Sequence, residues 1–105
     1  MELSEKIKTI KLLDVYGNLL TKKQRETLEG YLVYDITLSE LANLHQSSRQ
    51  AIFDTIQKTT KALFEFEEKL GMLEKKDQII MFLEGLDCSN GEVESICTKI
   101  KDLLN

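Results

Sequence analysis

The feature that most limits what this chain can fold into is an absence: none of its 105 residues is proline. Proline removes a backbone donor and clashes with the preceding helical turn, so a chain without it is free to build long helices. The missing residue permits helices without specifying them; the starts and stops come from elsewhere. Thr21-Lys22-Lys23-Gln24, Thr37-Leu38-Ser39-Glu40 and Ser89-Asn90-Gly91-Glu92 each read as a capping box. In such a box a hydroxyl and a side chain three residues later satisfy two orphan amides. Ser48 is a further N-cap candidate. Gly17-Asn18 and Gly71 read as stops, because these residue types tolerate left-handed backbone.

Apolar residues at helical spacing fill the intervals between these signals. Leu3, Ile7, Ile10, Leu13 and Tyr16 predict a helix over 2–16. Leu28, Tyr31 and Leu32 predict an inward face for a helix over 22–34, which Gly30 weakens by roughly 1 kcal/mol relative to alanine. A short helix opens at Leu38 with Leu41 and Ala42. Nothing halts the next helix, from 49, before Gly71, so it is the longest. Ile79, Ile80, Phe82, Leu83 and Leu86 predict a helix over 73–85. Val93, Ile96, Ile100, Leu103 and Leu104 predict an inward face over 90–104. No segment reads as a strand. The expected fold is an all-α helical bundle in one domain, residues 1–105. Its helix-turn-helix core lies at about 20–63, and its long helix and C-terminal helices at about 49–105. The hydrophobic fraction, 42%, is enough to fill a core at this length.

No apolar run is long enough to span a bilayer, so no membrane insertion is expected. The first residues, Met1-Glu2-Leu3-Ser4-Glu5-Lys6, are charged and lead into no apolar core. This predicts no secretory signal and a cytoplasmic chain, in which Cys88 and Cys97 are reduced thiols. The net charge is −4, distributed as 0 over residues 1–20, +1 over 21–63 and −5 over 64–105. No segment is a strong polyanion binder by charge alone; the middle is the least hostile to phosphate.

Leu38 to Gln57 has the spacing of a helix-turn-helix. Ala42 supplies the small residue at which two helices cross closely. Ile52, ten positions later, supplies the inner face of the second helix. Arg49, Gln50, Phe53 and Gln57 then fall on or near its outer face, and Lys58 and Lys61 extend a basic edge. Arginine and glutamine suit base edges because they offer paired donors, or a donor with an acceptor. Asp54, one turn after Gln50, repels phosphate at that spot. Usual turns of this motif place glycine at the position of Gln46 and an aliphatic residue at Ser47. Their absence predicts a wider corner or one with polar contacts. Lys22, Lys23 and Arg25 oppose the dipole of the first turn of their helix and mark a second edge where an anion could dock.

The string Tyr16-Gly17-Asn18-Leu19-Leu20-Thr21-Lys22-Lys23-Gln24-Arg25 is one of four notable segments. The others are Ser39-Glu40-Leu41-Ala42, Ser48-Arg49-Gln50-Ala51-Ile52-Phe53-Asp54 and Glu67-Glu68-Lys69-Leu70-Gly71. Together they resemble the YlxM family, small bacterial helix-turn-helix-like proteins associated with the signal recognition particle. The resemblance covers most of residues 5–80. It implies a three-helix core like sigma factor region 4 with added C-terminal helices, and no catalysis. It also implies a regulatory part in the signal recognition particle pathway. The family's usual turn has asparagine and valine where this chain has Gln46 and Ser47.

Ile56, Leu63 and Leu70 recur every seven residues, and Ile52, Thr59, Phe66 and Leu73 recur on the adjoining row, which makes a heptad seam. Ile52, Ile56, Leu63, Phe66 and Leu70 are thus candidates for homodimerisation, the favoured reading, with burial against the first, fifth and sixth helices of the same chain as the alternative. A second stripe, Phe53, Thr60, Phe64 and Glu67, flanks the first. His45, the lone histidine, reads as structural. No glycine-rich phosphate loop exists, and no serine or cysteine has a histidine at motif spacing. The expectation is a non-enzymatic regulatory binding protein without cofactor or metal. RNA or protein is favoured as its partner, and duplex DNA is the alternative.

Overall fold

The computed structural model describes residues 1–87 and 89–105. Six α-helices follow one another without a strand among the described residues: α1 (Leu3–Tyr16), α2 (Lys22–Leu32), α3 (Leu38–Leu44), α4 (Arg49–Leu70), α5 (Met72–Glu84) and α6 (Gly91–Leu104). A single 3-10 turn, Gly17–Leu19, follows α1. No helix of the described residues is long and apolar enough to cross a membrane.

The caps account for most of these boundaries. Thr21 Oγ1 accepts from the Gln24 N–H (3.2 Å) while Gln24 Oε1 accepts from the Thr21 N–H (3.1 Å), so the first capping box is complete. Thr37 Oγ1 accepts from the Glu40 N–H at 3.2 Å. Ser48 Oγ accepts from the Ala51 N–H at 3.0 Å. Gly71 closes α4 in the left-handed conformation, with φ at +61°. The third predicted box does not form. Asn90, not Ser89, caps α6, its Oδ1 accepting from the Glu92 N–H at 2.8 Å. The Ser89 N–H donates to Asp87 Oδ1 instead.

The chain forms two compact units, Met1–Gly71 and Met72–Asn105. In the first, α4 packs against α1, α2 and α3, and α2 packs against both α1 and α3. The buried side chains here include Leu12, Tyr16, Leu28, Leu41, Ile52 and Leu63. Burying each aliphatic of this set stabilises the fold by roughly 1.5–3 kcal/mol before entropy is counted. Tyr16 ties α1 to α4 at its polar end, donating from its hydroxyl to Glu67 Oε1 at 2.6 Å, while its ring lies 5.9 Å from that of Phe66. Gly30 has a packing role that propensity does not reveal. A Cβ there would meet Leu41 Cδ2 at 3.1 Å and Ile36 Cδ1 at 3.4 Å, so its absence lets α2 and α3 approach.

The inner face of α1 differs from the predicted row. Thr9, Leu12 and Tyr16 are buried, whereas Leu3 and Ile7 are exposed and Ile10 and Leu13 half-buried. Thr9 joins the core because its hydroxyl donates to the Glu5 carbonyl at 2.7 Å, so no polar atom is stranded. On α2, Leu28 and Leu32 are buried as predicted, together with Thr27, while Tyr31 is half-buried. In the second unit α5 packs on α6. The predicted inward row of α6 is less covered than expected: Cys97 is buried, Val93, Ile100 and Leu104 are half-buried, and Ile96 and Leu103 are exposed. Cys97 is a free thiol; the thiol expected at Cys88 lies outside the described residues.

Candidate functional site

The corner between α3 and α4 fixes which side of α4 stands free. It closes through backbone hydrogen bonds around Gln46 and Ser47. Gln46 adopts φ +51°, the left-handed conformation for which glycine is the usual choice. Around it, the Ser47 N–H donates to the Ala42 carbonyl at 2.8 Å and the Gln46 N–H to the Asn43 carbonyl at 3.3 Å. This pair of bonds is the Schellman arrangement that satisfies the last carbonyls of a helix. Backbone geometry thus does the work normally assisted by glycine, and Ser48 starts α4 directly afterwards. Ala42 is buried at the crossing, and Ile52 is fully buried on the facing side.

With Ile52, Ile56, Thr59 and Leu63 turned inward, the opposite side of α4 is displayed. Arg49, Gln50, Phe53, Gln57, Lys58 and Lys61 are all exposed, Phe53 at 41%. The helical period groups Gln50, Phe53, Gln57 and Lys61 on one side of α4, with Arg49 and Lys58 exposed at its two opposite flanks. Their charges are only partly available. Gln50 Nε2 donates to Asp54 Oδ1 at 3.0 Å, so Asp54 occupies the amide as well as repelling anions. Lys61 Nζ stands 4.0 Å from Glu65 Oε1. Both pairs have the i, i+4 spacing of helix neighbours. Among the described residues, Arg49 and Lys58 make no ion pair. Arg49 sits in the first turn of α4, where unpaired amides already favour an anion.

The second basic edge is more committed to the fold. Arg25 Nη1 donates to Asn18 Oδ1 at 2.9 Å, and Lys22 pairs with Glu26 at 3.8 Å. The heptad seam divides. Ile52, Ile56 and Leu63 are buried within the first unit, so the intrachain reading accounts for these three. Phe66 is half-buried, and Leu70 is 47% exposed at the end of α4.

Sequence reasoning missed a groove of about 570 Å³ beside the displayed surface. Tyr31 of α2 and Phe53, Ile56, Thr60 and Phe64 of α4 form its walls, with Gln57 and Lys61 at the same site. Met1 and Glu5 also line it. Lys8 Nζ lies 5.5 Å from the centroid of the Phe64 ring, which adds a cation beside that wall. The second stripe, Phe53, Thr60 and Phe64, was the available signal. The contribution of Tyr31 depends on how α2 crosses α4, which spacing along one helix does not encode. Among the described residues, no group of three or more His, Cys, Asp or Glu side chains is arranged to hold a metal.

Comparison with known proteins places this geometry. The family model described as "Putative helix-turn-helix protein, YlxM / p13 like" (UPF0122) matches residues 3–103. A UPF0122 protein of Oceanobacillus iheyensis is 40% identical over 94 residues, covering 88% of this chain and 90% of the relative. One of Clostridium kluyveri is 42% identical over 77 residues, 73% of this chain and 69% of its own length. A probable UPF0122 protein of Mycoplasma mycoides is 33% identical over 104 residues, 99% of this chain and 87% of its own.

Proposed function

Since the chain belongs to the UPF0122 family of YlxM/p13-like helix-turn-helix proteins, we propose that it is a non-enzymatic binding protein whose helix α4 meets RNA through its displayed side. The observation that carries this reading is the exposure of Arg49, Gln50, Phe53, Gln57, Lys58 and Lys61 on a helix whose other side is locked into a core. Such a surface has the form of a recognition helix. RNA is favoured over duplex DNA on charge. A tight duplex binder neutralises many phosphates, whereas the exposed cations of α4 that make no ion pair among the described residues are two, Arg49 and Lys58, on a chain of net charge −4. The RNA of the signal recognition particle is the first candidate, because the resemblance to the YlxM family implies a regulatory part in that pathway and RNA is the polyanion that such a particle offers.

The test is a titration of the purified protein against signal recognition particle RNA at low salt, with the particle's GTPase in a parallel arm. We expect micromolar or tighter binding to the RNA. Arg49→Ala combined with Lys58→Ala should weaken it and flatten the salt dependence by about one to two in slope. Unchanged affinity in the double variant removes α4 from the contact. Binding to the GTPase alone replaces RNA by protein, and an enriched motif from random DNA duplexes favours a transcription regulator.

A further inference from the structure

The second unit leaves a broad apolar side uncovered. We infer that two copies of the chain associate through it, their α5–α6 hairpins stacking antiparallel into a four-helix bundle. The unit, Met72–Asn105, falls below the about 40 residues under which a fold usually needs a staple or an oligomeric partner. Its buried apolar side chains are Leu73, Leu83 and Cys97. Against these stand Ile79 and Phe82 of α5, Leu86 just beyond its end, and Ile96 and Leu103 of α6. All five are exposed, Phe82 at 79% and Leu103 at 88%. The helical period groups them. Ile79 and Phe82 lie roughly 100° behind the direction of Leu73 and Leu83 on α5, and Ile96 and Leu103 lie roughly 100° behind Cys97 on α6. Packed helices joined by a short link run antiparallel. Equal offsets from their shared seam then turn both rows to the same side of the pair.

Size and charge favour a second copy as the cover. The five side chains expose on the order of 600 Å², close to the roughly 800 Å² that each partner of a specific interface contributes. Lys75 shares the exposed row of α5 near its start, whereas Asp87 and Glu92 stand where the chain turns from α5 into α6. A two-fold axis passing between Ile79 and Phe82 lays Ile79 of each copy on Phe82 of the other. The same axis brings each Lys75 towards the other copy's Asp87. A side that complements itself in this way is what an isologous dimer requires. The carboxylates Glu74, Asp77 and Glu84 of α5, and Glu94 and Asp102 of α6, fall on other sides of their helices and lie outside the contact. The dimer contact is thus on α5 and α6, and the α4 seam is spent within the first unit, where Ile52, Ile56 and Leu63 are buried.

The experiment is sedimentation equilibrium on the full chain across the micromolar range. Wild type should reach twice the monomer mass of 12.1 kDa. Phe82→Asp and, separately, Leu103→Asp, both at exposed positions and with helicity checked by circular dichroism, should weaken association roughly a hundredfold. Leu70→Asp, at the exposed end of the α4 seam, should leave it unchanged. Lys75→Glu should weaken it roughly tenfold, and adding Asp87→Lys should restore it. If Phe82→Asp loses helicity, the Lys75 and Asp87 variants decide instead. A wild type that stays monomeric at high micromolar concentration overturns the inference. So does a folded Phe82→Asp variant that dimerises like wild type. Loss of the dimer in Leu70→Asp alone moves the contact to α4 and overturns it too, and failure of the charge exchange to rescue overturns the antiparallel stacking. RNA contact by α4 is read in its own titration and is untouched by any of these outcomes.

Discussion

Replacing Gln46 tests whether the α3–α4 corner is held by backbone geometry. Its φ of +51° lies in the left-handed region, which costs a residue with a Cβ about 1–2 kcal/mol. The Gln46 side chain is exposed, so substitution removes little packing. Gln46→Gly relieves the strain but adds unfolded-state freedom worth about 0.4–1 kcal/mol. The net expectation is a stabilisation of about 0.5–1 kcal/mol. For a unit of this size that raises Tm by roughly 2–8 °C. Gln46→Val places a β-branched side chain in the same conformation and should destabilise by at least 1 kcal/mol relative to glutamine. Thermal unfolding followed by circular dichroism, with urea unfolding as a check, measures both. The opposite order, valine more stable than glycine, refutes the argument, because it means the corner does not hold position 46 in the left-handed region.

Two further substitutions address the core and the displayed surface. Thr59 is fully buried and its hydroxyl has no hydrogen-bond partner among the described residues; Thr59→Val should stabilise by about 1 kcal/mol, since it removes an unsatisfied polar atom and keeps the shape. A fall in Tm instead means that the hydroxyl is bonded in solution. Asp54→Ala releases Gln50 and deletes a negative charge, so RNA affinity at low salt should rise about twofold to fivefold, the scale of an exposed charge contact. Weaker binding in the same RNA titration means that Asp54 itself touches the partner.

Much of the fold is legible in the sequence because helix ends are local chemistry. Thr21, Thr37, Ser48 and Gly71 act where their residue types say they act, and α4 begins at Arg49 and ends at Leu70 as read. Where two capping residues adjoin, as at Ser89 and Asn90, residue type does not choose between them. The side of a helix that turns inward is harder to read. On α1 the rows through Leu3 and Ile7 and through Thr9, Leu12 and Tyr16 share the same period. Which one is buried depends on the helices packed against it and on the bond that lets Thr9 be buried. The exposed side of α4 could be read because Ile52, Ile56 and Leu63 fix the opposite side. The bond from Gln50 to Asp54 has a legible spacing, yet only the repulsion by Asp54 was apparent before the distance was known. The groove could not be read from α4 alone, since α1 and α2 complete it.

The internal pairing along α4 also bears on how a partner arrives. A surface rich in unmatched positive charge captures polyanions from a distance, and so captures them indiscriminately. Here Glu65 pairs with Lys61 and Asp54 sets a carboxylate beside Gln50 on the same helix, on a chain whose net charge is −4, so no strong attractive field reaches a distant polyanion. Encounters then gain no long-range steering, and binding is governed by contacts made at close range. Such a protein ignores most of the nucleic acid around it and dwells only where shape and hydrogen bonds agree.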